Sequence, residues 1–163
     1  MIVVSDTSAL SCFAELGELE LLHRLYGSVT ITSTVLSECC HRSAPEGLRR
    51  FLSSPPPWLT VVANPQPELA ETRFLDPGEA SAITLAWQHR DSSLLIIDEK
   101  KGRHVSLDLG LRITGAAGVL TDAASEGLID FETTFQRLAR TRFRLKSSVI
   151  DVLRKRLDER RIR

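Results

Sequence analysis

The feature that most limits what this chain can fold into is a set of short, continuously apolar runs separated by longer stretches of helical spacing. Ile2-Val3-Val4, Val29-Thr30-Ile31-Thr32 and Leu94-Leu95-Ile96-Ile97 are rich in β-branched residues and do not alternate with polar ones. A strand that is apolar on both faces must be covered on both, as in a parallel sheet flanked by helices. The first run stops at Ser5-Asp6-Thr7-Ser8, a cluster of helix-start residues, and Leu10 and Phe13 follow at helical spacing. Leu19, Leu21, Leu22 and Leu25 mark a second helix that ends near Gly27. Ser33 or Thr34 is placed to cap a helix through Val35, Leu36 and Glu38.

The later elements follow the same rules. Pro45-Glu46 opens a short helix that the Pro55-Pro56-Pro57 run closes, and Leu59-Thr60-Val61-Val62 reads as an edge strand. Residues 64–75 hold Pro65 and Pro67 and read as a connector, after which Asp76-Pro77-Gly78-Glu79 opens a helix with proline in its first turn. A helix through Val105 and Leu109 ends at Gly110, and Leu111-Arg112-Ile113-Thr114 is a further strand. Helices near 117–126, 131–141 and 147–160 complete the pattern, the last with Ser148-x-x-Asp151 as its capping signal. This alternation predicts an α/β fold with a central parallel sheet and helices on both faces. With 163 residues the expectation is one domain, 1–163, because cores divide only above roughly 250 residues.

Charge adds a second constraint. The chain carries 21 basic and 21 acidic residues, yet 1–136 hold 10 basic against 18 acidic, a net of −8, and 137–163 hold 11 against 3, a net of +8. A balanced total excludes a uniformly basic nucleic-acid coat and an acidic solvating tail. Phe143, Leu145, Val149, Val152, Leu153 and Leu157 continue at helical spacing through the basic stretch, so 137–163 is expected to be a basic helical extension packed on the domain. No run of the roughly 18 apolar residues a membrane span needs is present, and the N-terminus lacks a leader pattern. Cys12, Cys39 and Cys40 are an odd set with one adjacent pair, which suits reduced thiols in a cytoplasmic setting better than a disulfide framework or a zinc site.

In an open parallel sheet, ligands bind beyond the carboxyl ends of the strands. Two apolar strands end there in acids, Asp6 after the first and Asp98 with Glu99 after the central one. Glu38 and Glu79 sit on helices that lead from or toward the same edge. Each acid has an ordinary alternative: Asp6 as a helix cap, Asp76 as a cap with Glu79 as its reciprocal partner, Glu38 as an exposed helix residue. Together, however, clustered carboxylates raise one another's pKa and are kept most readily where a divalent cation neutralises them. Oxygen donors without sulfur or imidazole point to Mg²⁺ or Mn²⁺, and such ions serve phosphodiester hydrolysis. No phosphate-binding glycine loop or nucleophile elbow competes with this reading.

The segments Val4-Ser5-Asp6-Thr7-Ser8, Val35-x-x-Glu38, Leu75-Asp76-Pro77-Gly78-Glu79-Ala80 and Leu95-Ile96-Ile97-Asp98, in this order, resemble a PIN domain, and most nearly the small prokaryotic proteins related to VapC toxins. The resemblance continues through Gly115-Ala116-Ala117-Gly118-Val119-Leu120 and Phe143-Arg144-Leu145. It implies a three-layer α/β/α fold and a metal-dependent ribonuclease, the toxin of a toxin–antitoxin pair, acting as a homodimer with RNA and an antitoxin as partners. Asp6, Glu38, Glu79 and Asp98 fall on the family's acidic positions, and Glu99 stands where a second aspartate is common. The family often has alanine where this chain has Gly102 and a hydroxyl residue where it has Ala116. Thr7 and Ser8 are candidates to hydrogen-bond Asp6, or to cap the following helix. Lys100, Lys101 and Arg103 are candidates for RNA phosphate contacts, or a solvated helix face. The competing function is a PIN-like module that binds protein or RNA and cuts little.

Overall fold

The computed structural model describes every residue from Met1 to Arg163. Five strands form one sheet: β1 (Ile2–Ser5), β2 (Val29–Thr32), β3 (Leu59–Val62), β4 (Ser93–Ile96) and β5 (Ile113–Thr114). Their order is β3-β2-β1-β4-β5, and every pairing is parallel. The chain winds outward from β1 to one edge, then returns to the other side of β1, so strand order reverses between β1 and β4. That arrangement is the three-layer α/β/α fold with a central parallel sheet that the sequence leads one to expect.

Two compact units make up the chain, Met1–Gly115 and Ala116–Arg163. The first holds the sheet with α1 (Thr7–Leu16), α2 (Glu20–Tyr26), α3 (Ser33–Cys39), α4 (Glu46–Leu52), α5 (Pro77–Gln88) and α6 (Lys100–Asp108). Its core joins Val4, Leu95 and Ile97 of the sheet region to Ala82, Ile83, Leu85 and Ala86 of α5. Every residue of α5 from Gly78 to Ala86 is buried, so this helix has no solvent stripe in its first two turns. The second unit consists of α7 (Ala116–Ser125), α8 (Phe131–Leu138) and α9 (Ser147–Ile162). There α7 packs on α8 and α9, and Phe131 and Phe135 stack with ring centres 4.2 Å apart. No helix is long and apolar enough to cross a membrane.

Several local expectations are corrected. The cap of α3 is Thr32, whose hydroxyl accepts from the Val35 amide at 3.2 Å, because the chain leaves the strand one residue earlier than Ser33. The strand expected at Leu111–Thr114 is reduced to Ile113–Thr114, although the Arg112 carbonyl still accepts from Leu95 at 2.9 Å. Ser148 lies inside α9, which starts after Lys146 without a side-chain cap, and Asp151 pairs with Arg154 instead.

Candidate active site

The reversal between β1 and β4 sets Asp6 and Asp98 beside each other. Val3, Val4 and Ser5 pair in register with Leu94, Leu95 and Ile96, and the Asp6 amide extends the ladder to the Ile96 carbonyl at 3.1 Å. Both aspartates therefore leave the sheet at the carboxyl ends of neighbouring strands. Asp6 is fully buried and also caps α1, its Oδ1 accepting from the Ala9 amide at 2.9 Å. Its Oδ2 is buried with no hydrogen-bond partner. Burial pushes its pKa up to about 8, the Asp98 and Glu79 charges add to the rise, and the Ala9 and Asp98 amides oppose it. The cap thus uses one oxygen of the carboxylate and leaves the other out of it.

Glu79 is buried on the first turn of α5 with its Oε1 unpartnered. Desolvation raises its pKa to about 7, with further contributions from the charges of Glu99, Asp76 and Glu38, while the Asp76 amide lowers it. Half of the expected capping box is present, since Glu79 reaches back to the Asp76 backbone. The other half is not: the Asp76 side chain makes no cap. The reason is that Glu38 occupies that place, its Oε1 accepting from the Gly78 amide at 2.9 Å. The second Glu38 oxygen accepts from the Thr7 hydroxyl, so Thr7 serves Glu38 and not Asp6. Ser8 is half-buried on the first turn of α1.

Gly78 escaped the sequence reading, yet a Cβ there would stand 2.2 Å from Glu38 Oε2. Its signal in the sequence was a glycine just inside a helix start, after Asp76-Pro77, a place where glycine has no capping use. Gly102 has a similar reason: a Cβ would meet Ile97 Cδ1 at 2.7 Å and Glu79 Oε1 at 3.1 Å. Gly115 lies where a Cβ would meet Asp98 Oδ1 at 2.5 Å. Backbone therefore approaches three of the four acids closely.

Around this edge the residues separate into roles. Glu99 is exposed at the start of α6 and acts on Glu79 through its charge. Lys100 and Lys101 are exposed, whereas Arg103 is half-buried and donates through Nη1 to the Ile97 carbonyl at 2.8 Å. Asp98 lines one groove with Lys100, Lys101 and Arg103, and Glu79 lines a neighbouring one with Asp76, Glu99, Lys100 and Lys101. The carboxylates interact in pairs along a chain, Asp98 to Asp6, Asp6 to Glu79, Glu79 to Glu38. No three His, Cys, Asp or Glu side chains stand together as a ready ligand set for one ion. In kind the donors fit a hard divalent cation: all are carboxylates, and two buried oxygens, Asp6 Oδ2 and Glu79 Oε1, lack any partner. The cysteines are outside this set; burial pushes Cys12 and Cys39 up to about 12, leaving them inert thiols.

No curated protein and no solved structure matches the chain. A family model described as a PIN domain matches residues 2–159, the whole of the sheet, the acidic edge and nearly all of the helical second unit. With the 3-2-1-4-5 parallel sheet and acids at its reversal, the match over this length settles the family: this chain belongs to the PIN domains.

Proposed function

We propose that this chain is a Mg²⁺- or Mn²⁺-dependent endoribonuclease that hydrolyses RNA phosphodiester bonds, and that it is the toxin of a toxin–antitoxin pair. PIN domains are generally nucleases that use divalent metals, which supports the reaction class. The observation that carries the reading here is the buried, unpartnered Asp6 Oδ2 at the strand reversal, with Asp98 and Glu79 acting on it and no basic side chain among the groups that shift it. A carboxylate so placed is costly unless a cation compensates it.

Asp6 and Asp98 are the residues assigned to hold the ion, with Glu79 and Glu38 completing the site and Glu99 at its rim. A divalent cation supplies activation of water and charge neutralisation on the scissile phosphate. Glu79 brings a buried, unpartnered Oε1 to this edge. Thr7 and the Gly78 amide hold Glu38 in one orientation, so that its carboxylate is a fixed acceptor. Lys100 and Lys101 offset the negative edge for an anionic substrate.

The antitoxin, a homodimer and a cytoplasmic location follow from the resemblance to small VapC-like proteins; three free cysteines, one of them exposed, support a reducing compartment. The pairwise spacing of the acids favours one second reading, a binding module of low activity. RNA cleavage with and without Mg²⁺ or Mn²⁺ separates the two. The nuclease requires cleavage that depends on metal and is lost in Asp6→Asn and Asp98→Asn. Metal-independent cleavage, or variants as active as the wild type, would remove it, and metal-dependent binding without cleavage would select the binding module.

A further inference from the structure

Between the connector that precedes α5 and the start of α6 lies a groove of about 880 Å³, within the roughly 300–1,000 Å³ of ligand clefts. Its floor and wall are apolar: Phe74, Leu75, Val105 and Leu107 line it, with Phe74 89% exposed and Leu107 59% exposed. Lys100, Lys101 and Arg103 also line it, together with Glu71 and Asp98. An aromatic ring left this open on a connector of prolines and charged residues contributes nothing to the core.

Two observations identify what covers it. The groove is continuous with the acidic concavity, since Phe74, Leu75, Lys100 and Lys101 line both, and the second also holds Glu79 and Glu99. Whatever fills the groove therefore lies against the carboxylate edge. Its chemistry is also mixed in a particular way, an open ring in one lining with two exposed ammonium groups, which outnumber the acids there, Glu71 and Asp98, once Arg103 is included. Single-stranded nucleic acid is held by this combination, a base face on the ring and its phosphates on the cations. A duplex presents no unstacked base, and an apolar partner helix would have to cover the two lysines along with the ring.

We propose that Phe74 is the base-stacking platform of a subsite for single-stranded RNA, with Lys100 and Lys101 taking the flanking phosphates. The inference rests on the nuclease reading above for the identity of the polymer. Arg103 also lines the groove, with one of its guanidinium N–H groups donating to the Ile97 carbonyl.

The test is fluorescence anisotropy of the full chain with a short labelled single-stranded RNA, the matching duplex, and the same strand carrying abasic positions, with Ca²⁺ in place of Mg²⁺. Phe74→Ala weakens single-strand binding by roughly tenfold, the loss of one base–aromatic stack. Phe74→Trp restores it, and abasic RNA reproduces the loss on the wild type. Lys100→Ala and Lys101→Ala each lower the salt slope by about 0.7, the value for one single-strand phosphate. Thermal melting of Phe74→Ala stays at the wild-type value, as expected for an exposed ring. Equal affinity of wild type and Phe74→Ala, no binding by the wild type, or equal losses on duplex overturns the subsite. So does a sedimentation change in Phe74→Ala with unchanged RNA affinity, which would give the ring to a second copy of the chain. Cleavage assays keep the two readings apart. Metal-dependent cleavage with Phe74-independent binding removes the subsite alone, and Phe74-dependent binding without metal-dependent cleavage removes the nuclease alone.

Discussion

Asp6 shows how one residue satisfies a local rule and leaves half its chemistry free. Oδ1 caps α1, as the Ser-Asp-Thr-Ser pattern suggests, while Oδ2 is buried without a hydrogen bond of its own. The capping signal and the ligand signal are the same letters, so the sequence could not separate them. Glu38 illustrates the opposite case. Its acidic position was legible, but its holders, the Thr7 hydroxyl and the Gly78 amide, lie 31 and 40 residues away in the chain, and no local pattern links them. Gly78 gives a test of that hold. An alanine there would place its Cβ 2.2 Å from Glu38 Oε2, and the flexible glutamate can move aside. Alanine is also the better helix former, by about 1 kcal/mol. Gly78→Ala is therefore expected to keep or raise the melting temperature while RNA cleavage falls roughly 10–100-fold, the range for lost support of a metal ligand. A variant that melts early would show that Gly78 matters for packing, and one that cuts normally would free Glu38 of its assigned role.

Elements were legible to the degree that their own composition decided them. β1, β2 and β4 are buried runs of branched apolar residues, and each falls within one residue of its expected place. β5 shrank because Arg112 interrupts the run and stays exposed, so only two residues keep full ladder geometry. The start of α9 moved because Ser148 and Asp151 are equally usable inside a helix as at its cap. For α9 the sequence suggested a basic outer face over an apolar inner one; Leu153 and Leu157 are buried, but Val149 and Val152 stay exposed, and Arg154 reaches Glu132 at 2.6 Å and Asp151 at 2.7 Å. These two kinds of contact differ in weight. Leu157→Ala removes buried methyl groups, which typically costs about 2–5 kcal/mol. Arg154 is half-buried but both of its carboxylate partners are exposed, and ion pairs so placed contribute little. Melting experiments are expected to place Leu157→Ala well below the wild type, at roughly 2–4 °C per kcal/mol, and Arg154→Ala near it. The reverse ranking would mean that the ion pairs, not the apolar face, fix α9 in its unit.

On the scale of the whole chain, the zero net charge resolves into two units of opposite sign. Met1–Gly115 hold 10 basic and 14 acidic residues, a net of −4, and Ala116–Arg163 hold 11 and 7, a net of +4. Part of the basic excess is answered inside its own unit, by Arg160 with Asp122 and Arg154 with Glu132. The acidic excess of the first unit includes two carboxylates whose pKa no basic side chain lowers, and this makes stability depend on pH. Asp6 holds its proton to about 8 in the fold against 3.8 for the ordinary side chain, and Glu79 to about 7 against 4.5. Below the ordinary values both states are protonated and nothing is lost. As pH rises toward 7 and 8 the unfolded chain gives up these protons first, so the metal-free fold loses stability, and the loss is complete above the folded values. Asp130 and Glu132 shift the other way, but both are exposed and weigh less. Metal-free protein in a chelating buffer is thus expected to melt lower at pH 8 than at pH 6. Asp6→Asn keeps a capping oxygen and removes the charge, which flattens the profile and raises the melting temperature at pH 8. Mg²⁺ must displace the same protons, so it binds more tightly and protects more at pH 8 than at pH 6. At a hundred times its dissociation constant the protection reaches about 2.7 kcal/mol. A wild-type profile already flat without metal would dismiss the buried charge as the cause. Equal protection of wild type and Asp6→Asn by Mg²⁺ would place the ion elsewhere on the protein, and the assignment of Asp6 as its ligand would fall with it.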